Sequence, residues 1–204
     1  MLFQGISPED LQDFILWSKS VTSTYGPGEG IFQQGQKSSY TYILLRGSVE
    51  VDHLSLSGNR TIIATFTKEK SIFGEVYSLL SLPFDYSCHA KEESLILKIP
   101  SASLLKTIDH EKFHPIGANL IQILAFKAYT LNQRLMVQTA PSLQEKILRD
   151  LDQRQVQGRV DLPFTREKWA EILSIPRPSL SRELSKMAEE GLISIHKRTI
   201  FLLF

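Results

Sequence analysis

The stretch Phe164–Gly191, FTREKWAEILSIPRPSLSRELSKMAEEG, decides how the second half of the chain folds. Its first part predicts a short helix over Arg166–Leu173, with Thr165 as the N-cap. The proline-containing segment 174–176 interrupts that helix, because a residue before proline is disfavoured in the α region. A second helix is predicted to begin near Arg177. Two short helices joined by a tight turn are typical of a helix-turn-helix.

The second helix separates its apolar side chains from its polar ones. Leu180, Leu184 and Met187 recur at helical spacing and are expected to face the core. The opposite face carries small hydroxyls and arginines, namely Arg177, Ser179, Ser181, Arg182 and Ser185. Small side chains let a helix approach a DNA groove, and arginine donates paired hydrogen bonds to guanine or phosphate. The alternative is a solvated face in an ordinary helical domain.

A hairpin pattern with a basic tip follows this helix directly. Residues 192–195 and 199–203 are predicted as two strands joined by a turn that contains Lys197 and Arg198. The tip places both cations for contact with phosphate. A helix-turn-helix with such a hairpin is a winged helix, whose second helix enters the DNA major groove.

These segments resemble the C-terminal domain of the cyclic-AMP receptor protein and fumarate–nitrate regulator (Crp–Fnr) family of bacterial transcription factors. The resemblance rests on Thr165-Arg166, on the segment RPSLSR at 177–182 and on Gly191-Leu192-Ile193. Pro178 departs from the glutamate that the cyclic-AMP receptor carries there, so that protein's recognition sequence is not expected here. The residues from which we expect DNA contacts are Thr165, Arg166, Arg177, Ser179, Ser181, Arg182, Lys197 and Arg198.

The first half of the chain has a different period. A helix is predicted from Pro8, with Ser7 as its N-cap. From about residue 25 to residue 100, short runs of period two between glycines predict an antiparallel barrel, roll or sandwich. The clearest runs are 40–45, 48–51, 61–66 and 94–99. Within them, the patterns at 25–35 and 42–49 resemble the cyclic-nucleotide-binding β-roll of the same family.

The resemblance also identifies a candidate effector pocket. The family's phosphate cassette contains a Gly-Glu pair that Gly74 and Glu75 match, and it normally closes with Arg-Ser. This chain has Tyr86-Ser87 instead, with no Lys or Arg between positions 70 and 91. Burying a phosphate without a cation is costly, so cyclic AMP is not expected. A structural turn, another effector and no effector all remain open for these residues.

Beyond about Asp109 the period is helical again. One apolar strip consists of Leu120, Leu124, Ala128, Leu131 and Leu135, and a second consists of Ile116, Ile123 and Phe126. One strip could pack on the roll and the other on a partner helix, or the helix could be an ordinary one-sided core helix. The family dimerises through this helix, which implies a homodimer, and we expect the first strip, Leu120 to Leu135, to face the partner. By the same resemblance, Asn132 reaches toward the effector pocket.

The predicted fold class is therefore α+β, in three parts. Residues 1–108 form the β-roll with its N-terminal helix, 109–137 the dimerisation helix, and 138–204 the winged helix-turn-helix. We expect a hinge at Val137–Pro141.

Composition excludes several classes of protein. The 204 residues carry a net charge of +1, so a charge-driven, histone-like nucleic-acid binder is not expected. One cysteine excludes an internal disulfide framework and an all-cysteine iron–sulfur site, and Cys88-His89 does not indicate haem. His110 and His114 lack a third metal ligand nearby. Without a signal-like or membrane-spanning segment, the protein is expected to be cytoplasmic.

Together, these features predict a homodimeric transcription regulator that needs no cofactor. It is expected to bind a pseudo-palindromic operator and, if it is an activator, to contact RNA polymerase. One alternative is a small-molecule-binding module that acts through protein partners. Another is a cupin-like enzyme, which would need metal ligands on the strands, where the only histidines are His53 and His89.

Overall fold

The computed structural model describes residues 1–55 and 57–203. It contains two compact units, Met1–Ala125 and Phe126–Phe204. The helices are α1 (Pro8–Ser18), α2 (Glu75–Leu80), α3 (Ser101–Lys106), α4 (His114–Gln138), α5 (Leu143–Arg154), α6 (Arg166–Leu173) and α7 (Arg177–Glu189). The strands are β1 (Val21–Tyr25), β2 (Gly30–Phe32), β3 (Tyr40–Arg46), β4 (Val49–Leu54), β5 (Arg60–Phe66), β6 (Ile72–Phe73), β7 (Ser87–Ala90), β8 (Ser94–Pro100), β9 (Arg159–Asp161), β10 (Ile193–His196) and β11 (Thr199–Leu202).

The first unit is built on two antiparallel four-stranded sheets, in the orders β1-β8-β3-β6 and β2-β7-β4-β5. The space between them is filled largely by aromatic rings, among which Phe32 and Phe84 stack with centroids 3.9 Å apart. A second apolar cluster lies on the other face of the first sheet, beneath α1. The antiparallel roll that the sequence predicted is confirmed.

Helix α1 begins where its capping residues predicted. The backbone N–H of Asp10 donates to Ser7 Oγ at 3.0 Å, and Pro8 occupies the first turn. The short helices α2 and α3 and the strands β1, β2, β6, β7 and β9 were not predicted individually, since each is either very short or, like β1, mostly exposed and without a clear period.

Helix α4 begins at His114 rather than near Asp109. Ile116 and Leu120 are buried in the cluster of the first unit, whereas Ile121 is 54% exposed and Leu131 is 67% exposed. Leu120, which the sequence placed on the partner-facing strip, is therefore part of this chain's own core.

The second unit is a winged helix. Helices α5, α6 and α7 enclose a core that includes Trp169, Leu180 and Leu184, and the wing is a sheet in the order β10-β11-β9. The helix-turn-helix and the hairpin are confirmed, while the third wing strand β9 was missed. Helix α4 ends at Gln138 within the proposed hinge, and Val137 is anchored in the core of this unit.

Candidate nucleic-acid interface

A buried carboxylate fixes the first helix of the helix-turn-helix. Trp169 Nε1 on α6 donates to Asp150 Oδ2 on α5 at 2.7 Å. The guanidinium of Arg154 donates to both oxygens of the same carboxylate, at 2.7 and 2.9 Å. Asp150 is only 4% exposed, so these charge-assisted hydrogen bonds compensate its burial.

The turn between the two helices is set by local backbone geometry. Ser174 adopts a left-handed conformation with φ of 54° at the end of α6, and the N–H of Ile175 donates to Ala170 O at 3.0 Å. Pro176 then caps α7 in an extended conformation. The direction of α7 relative to α6 is therefore fixed within a few residues.

Helix α7 buries one face and exposes the other. Leu180, Leu184 and Met187 are at most 1% exposed, in the core. A stripe at helical spacing lies opposite them and consists of Pro178, Ser181, Arg182 and Ser185, all of them exposed. Within residues 1–55 and 57–203, the Arg182 guanidinium has no hydrogen-bond or ion-pair partner. We name these four residues the α7 stripe; Ser179 beside it is half-buried.

Arg177 differs from Arg182 because it is paired. Its Nε lies 2.9 Å from Glu167 Oε1 on α6, and both side chains are more than half exposed. A hydrogen bond from its own backbone amide and the charge of Arg177 lower the pKa of Glu167. A DNA phosphate would compete with this carboxylate for Arg177, and sequence spacing alone did not reveal the pairing.

Thr165 and Arg166 have structural roles. The hydroxyl of Thr165 accepts from Lys168 N at 3.3 Å, so it caps α6. The guanidinium of Arg166 lies 5.8 Å from the centroid of the Trp169 ring, and desolvation lowers the pKa of Arg166. DNA contacts by these two residues stay a prediction.

The wing presents its two cations at a tight turn. Lys197 has φ of 57°, and the carbonyl of Arg198 accepts from Leu162 N at 3.0 Å, which fixes the tip. Both side chains are exposed, and neither has a side-chain partner in the described part of the chain. The tip and the α7 stripe are thus two solvent-facing basic groups of one unit.

The residues of the candidate effector pocket are occupied by contacts of their own. Gly74 has φ of 73°, and a Cβ there would lie 2.9 Å from the Tyr42 ring. Glu75 is 2% exposed, and Ser87 Oγ accepts from Gln34 N at 3.0 Å. The ring of Tyr86 is half-buried and lies 5.8 Å from that of Tyr77.

Burial raises the pKa of two more groups in the roll. Desolvation, followed by hydrogen bonds to Tyr86 and Asp85, raises the pKa of Tyr77. Burial also raises the pKa of Cys88, so that thiol stays protonated.

Asn132 is exposed on α4, in the second unit.

A charged cluster on the face of β4 opposite the aromatic interior was not foreseen. Glu50 and Asp52 are each 6% exposed, and with His89 they form a group of metal-type ligands. Arg60 pairs with both carboxylates and lies 2.6 Å from His89 Nε2, and Lys91 Nζ lies 3.3 Å from Glu50. Two cations balance two carboxylates, which makes the cluster an ion-pair network. The sequence had indicated only the histidines on the strands.

Comparison with known proteins covers both units. Residues 22–111 match the cyclic nucleotide-binding domain, and residues 145–203 match the Crp-like helix-turn-helix domain. A global nitrogen regulator of Synechocystis is 24% identical over 190 residues, 88% of this chain and 83% of that protein. The transcriptional regulator LdrP of Thermus thermophilus is 26% identical over 179 residues, 86% of this chain and 88% of that protein.

The fold comparison agrees with the sequence matches. The crystal structure of the Thermus thermophilus catabolite activator protein superposes with a TM-score of 0.55 at 22% identity, covering 98% of this chain and 92% of that one. Among the helices described here, none is long and apolar enough to cross a bilayer. With its two matched domains in this order, the chain belongs to the Crp–Fnr family.

Proposed function

We propose that this DNA-binding transcription regulator contacts the major groove through the α7 stripe and the flanking phosphates through the wing tip. The observation that carries the proposal is the guanidinium of Arg182, which lies on an exposed face of small side chains and pairs with no residue that the structure describes. A guanidinium without an internal partner is available to guanine or phosphate at no cost of breaking an ion pair. The small side chains of Ser181 and Ser185 let the helix approach the DNA closely. Arg177 also contacts the DNA if a phosphate displaces Glu167 from its guanidinium.

We also propose a homodimer formed through α4. Ile121, Leu124, Ala128, Leu131 and Leu135 alternate at spacings of three and four, which is the pattern of a coiled-coil seam. Ile121 takes the place that the sequence had given to Leu120. Three of these apolar side chains, Ile121, Leu131 and Leu135, are more than half exposed. Two-fold symmetry then implies a pseudo-palindromic operator with half-sites roughly 34–36 Å apart.

The proposed regulator does not use cyclic AMP. Tyr86 stands where the cassette would supply an arginine, and Arg60 and Lys91 are committed to Glu50 and Asp52. A cyclic phosphate at the cassette would therefore receive no cation from Tyr86, Arg60 or Lys91. An uncharged effector, or none, is compatible with these contacts, and we assign no cofactor.

The operator is obtained by selecting duplexes from a random library with purified protein and no added ligand. An enriched two-fold-symmetric site supports the proposal and defines the operator. Selection with added cell extract follows if none is enriched, and failure in both conditions would contradict it. Sedimentation of the protein with Leu131→Asp and Leu135→Asp tests the dimer, with the exposed Leu16→Asp on α1 as the matched control.

Two further assignments follow from the family. We propose that the protein acts in the cytoplasm and contacts RNA polymerase if it activates transcription. The alternative of a module acting through protein partners predicts no salt-sensitive DNA binding. A cupin-like enzyme is less well supported, because the Glu50–Asp52–His89 group is already neutralised by ion pairs.

A further inference from the structure

A cavity of about 620 Å³ lies in the first unit, between α1 with the segment preceding it and the sheet β1-β8-β3-β6. It lies on the opposite face of that sheet from the aromatic interior of the roll, because Ile43 and Leu97 line it while their neighbours Leu44 and Ile96 face the interior. A ligand here would not compete with one inside the roll.

The floor of the cavity is a row of side chains from three adjacent strands. Thr22 on β1 is paired with Leu97 on β8, which is paired with Ile43 on β3. Leu45 extends the row along β3. Since residues at alternate positions share a face, all four side chains are directed to the same side of the sheet.

The roof consists of apolar side chains that the core leaves partly uncovered. Leu11 and Ile15 on α1 are half-buried, and they lie above the floor together with Phe3 and Ile6. The segment before α1 is held in place, because Asn119 Nδ2 donates to Leu2 O and to Gln4 O, both at 2.9 Å. The cavity is therefore preformed, and its volume falls in the range of small-molecule sites.

Among the residues that line this apolar space, Lys70 has the one charged side chain. Lys70 has φ of 64°, and its backbone N–H donates to Leu44 O at 2.7 Å, which fixes the residue at the cavity wall. Its ammonium has no ion-pair partner within residues 1–55 and 57–203. The other polar side chains of the wall, Gln4 and Thr22, can both donate hydrogen bonds.

From this geometry we infer a binding site for an amphipathic monocarboxylate, such as a medium-chain fatty acid. The tail lies between Ile43, Leu97 and the side chains of α1, and the carboxylate is bound by Lys70. The inference does not depend on DNA binding, since every residue involved belongs to the first unit.

Isothermal titration calorimetry of the full chain with decanoate and with decan-1-ol tests the site. Thr22→Phe fills the cavity from the floor and is expected to weaken both ligands about tenfold or more. Thr24→Phe, two residues along the same exposed strand and outside the cavity, is the matched control and should leave both unchanged. Leu11→Phe fills the cavity from the roof, so that the test does not rest on one variant.

The charge is tested separately. Asparagine tolerates the left-handed backbone at position 70. Lys70→Asn is therefore expected to weaken the binding of decanoate about fivefold and to leave the affinity for decan-1-ol unchanged. Lys68→Asn is its control. No binding of either ligand, or equal decanoate affinity of Thr22→Phe and Thr24→Phe, would overturn the site. If Lys70→Asn weakened the binding of decanoate and of decan-1-ol equally, the inference that Lys70 binds a carboxylate would be wrong.

Discussion

Two groups of cationic side chains, one in each unit, differ in whether they are paired. In the roll, Arg60 and Lys91 are ion-paired to buried Glu50 and Asp52. In the winged helix, the ammonium and guanidinium groups of the α7 stripe and the wing tip have no internal partner among the described residues. The first pattern compensates burial within the chain, whereas the second leaves the compensation to an external anion.

This difference separates stability from binding. Removing an internally paired charge leaves its partner buried and uncompensated, which costs folding free energy. Removing an exposed unpaired cation changes folding little but removes a contact to DNA. The winged helix also contains a buried ion pair, at Asp150, so both kinds of residue can be compared within one unit.

The largest expected effect comes from that buried carboxylate. Asp150→Ala should lower the free energy of unfolding by about 3 kcal/mol, because Trp169 and Arg154 lose their acceptor. Urea denaturation followed by tryptophan fluorescence measures the change. Asp152→Ala, at an exposed position of the same helix, is the control. Equal stability of the two variants would show that Asp150 does not anchor the helix-turn-helix.

Arg182→Ala should weaken binding to the selected operator by about 1–3 kcal/mol while changing the free energy of unfolding by no more than about 0.5 kcal/mol. The two effects are expected to separate because no described residue pairs with this guanidinium, whereas DNA is its partner in the proposed interface. Fluorescence anisotropy measures affinity, with Arg46→Ala in the roll as a charge-matched control. Parent-like operator affinity of Arg182→Ala would remove this residue from the interface.

Arg60→Gln should show the reverse separation. The free energy of unfolding is expected to fall by about 1–2 kcal/mol, since Glu50 and Asp52 lose their shared cation and Arg60 is itself half exposed. Operator affinity should not change. Arg46→Gln breaks an exposed pair with Glu93 and should cost no more than about 0.5 kcal/mol. The ion-pair interpretation would be wrong if both variants were equally stable.

The wing tip should affect affinity without affecting sequence preference. The logarithm of the affinity for DNA falls linearly with the logarithm of the salt concentration. Lys197→Ala and Arg198→Ala are each expected to make this slope shallower by about 1, because each removes one phosphate contact. Lys168→Ala, whose ammonium is paired with Glu171, is the control. An unchanged salt dependence would exclude the tip from the DNA contact.

The smallest expected effect concerns Arg177, which is paired with Glu167 on the proposed DNA-binding surface. Glu167→Gln removes the acid that binds Arg177 and should strengthen operator binding by about 0.5 kcal/mol or less. Glu171→Gln, on the same helix, serves as the control. A loss of affinity in Glu167→Gln would mean that this carboxylate orients Arg177 for DNA.

Sequence predicted best those features that depend on neighbouring residues. Ser7 and Thr165 cap their helices as expected, because a cap is determined within four residues. Strand β1 could not be identified in this way, since Val21 pairs with Lys98 far along the chain. Its exposed residues also give no alternation.

Features that depend on the register of paired strands or on how a helix packs could not be predicted from the sequence. Glu50 and Asp52 show the period of a strand, but their contact with His89 follows only from the pairing of β4 with β7. The choice between Leu120 and Ile121 as the outward-facing residue likewise depends on how α4 lies against the roll's second cluster. The effector cassette was found by resemblance alone.

The glycine of that cassette has a consequence for motif searches. Gly74 is required where the Tyr42 ring passes within 2.9 Å of a would-be Cβ, and its backbone is left-handed. Aromatic packing alone would therefore preserve this letter of the motif after a chain had lost every contact with a nucleotide. A pattern scored on Gly74 and Glu75 alone would not distinguish such a chain from a nucleotide binder, and the informative position is Tyr86.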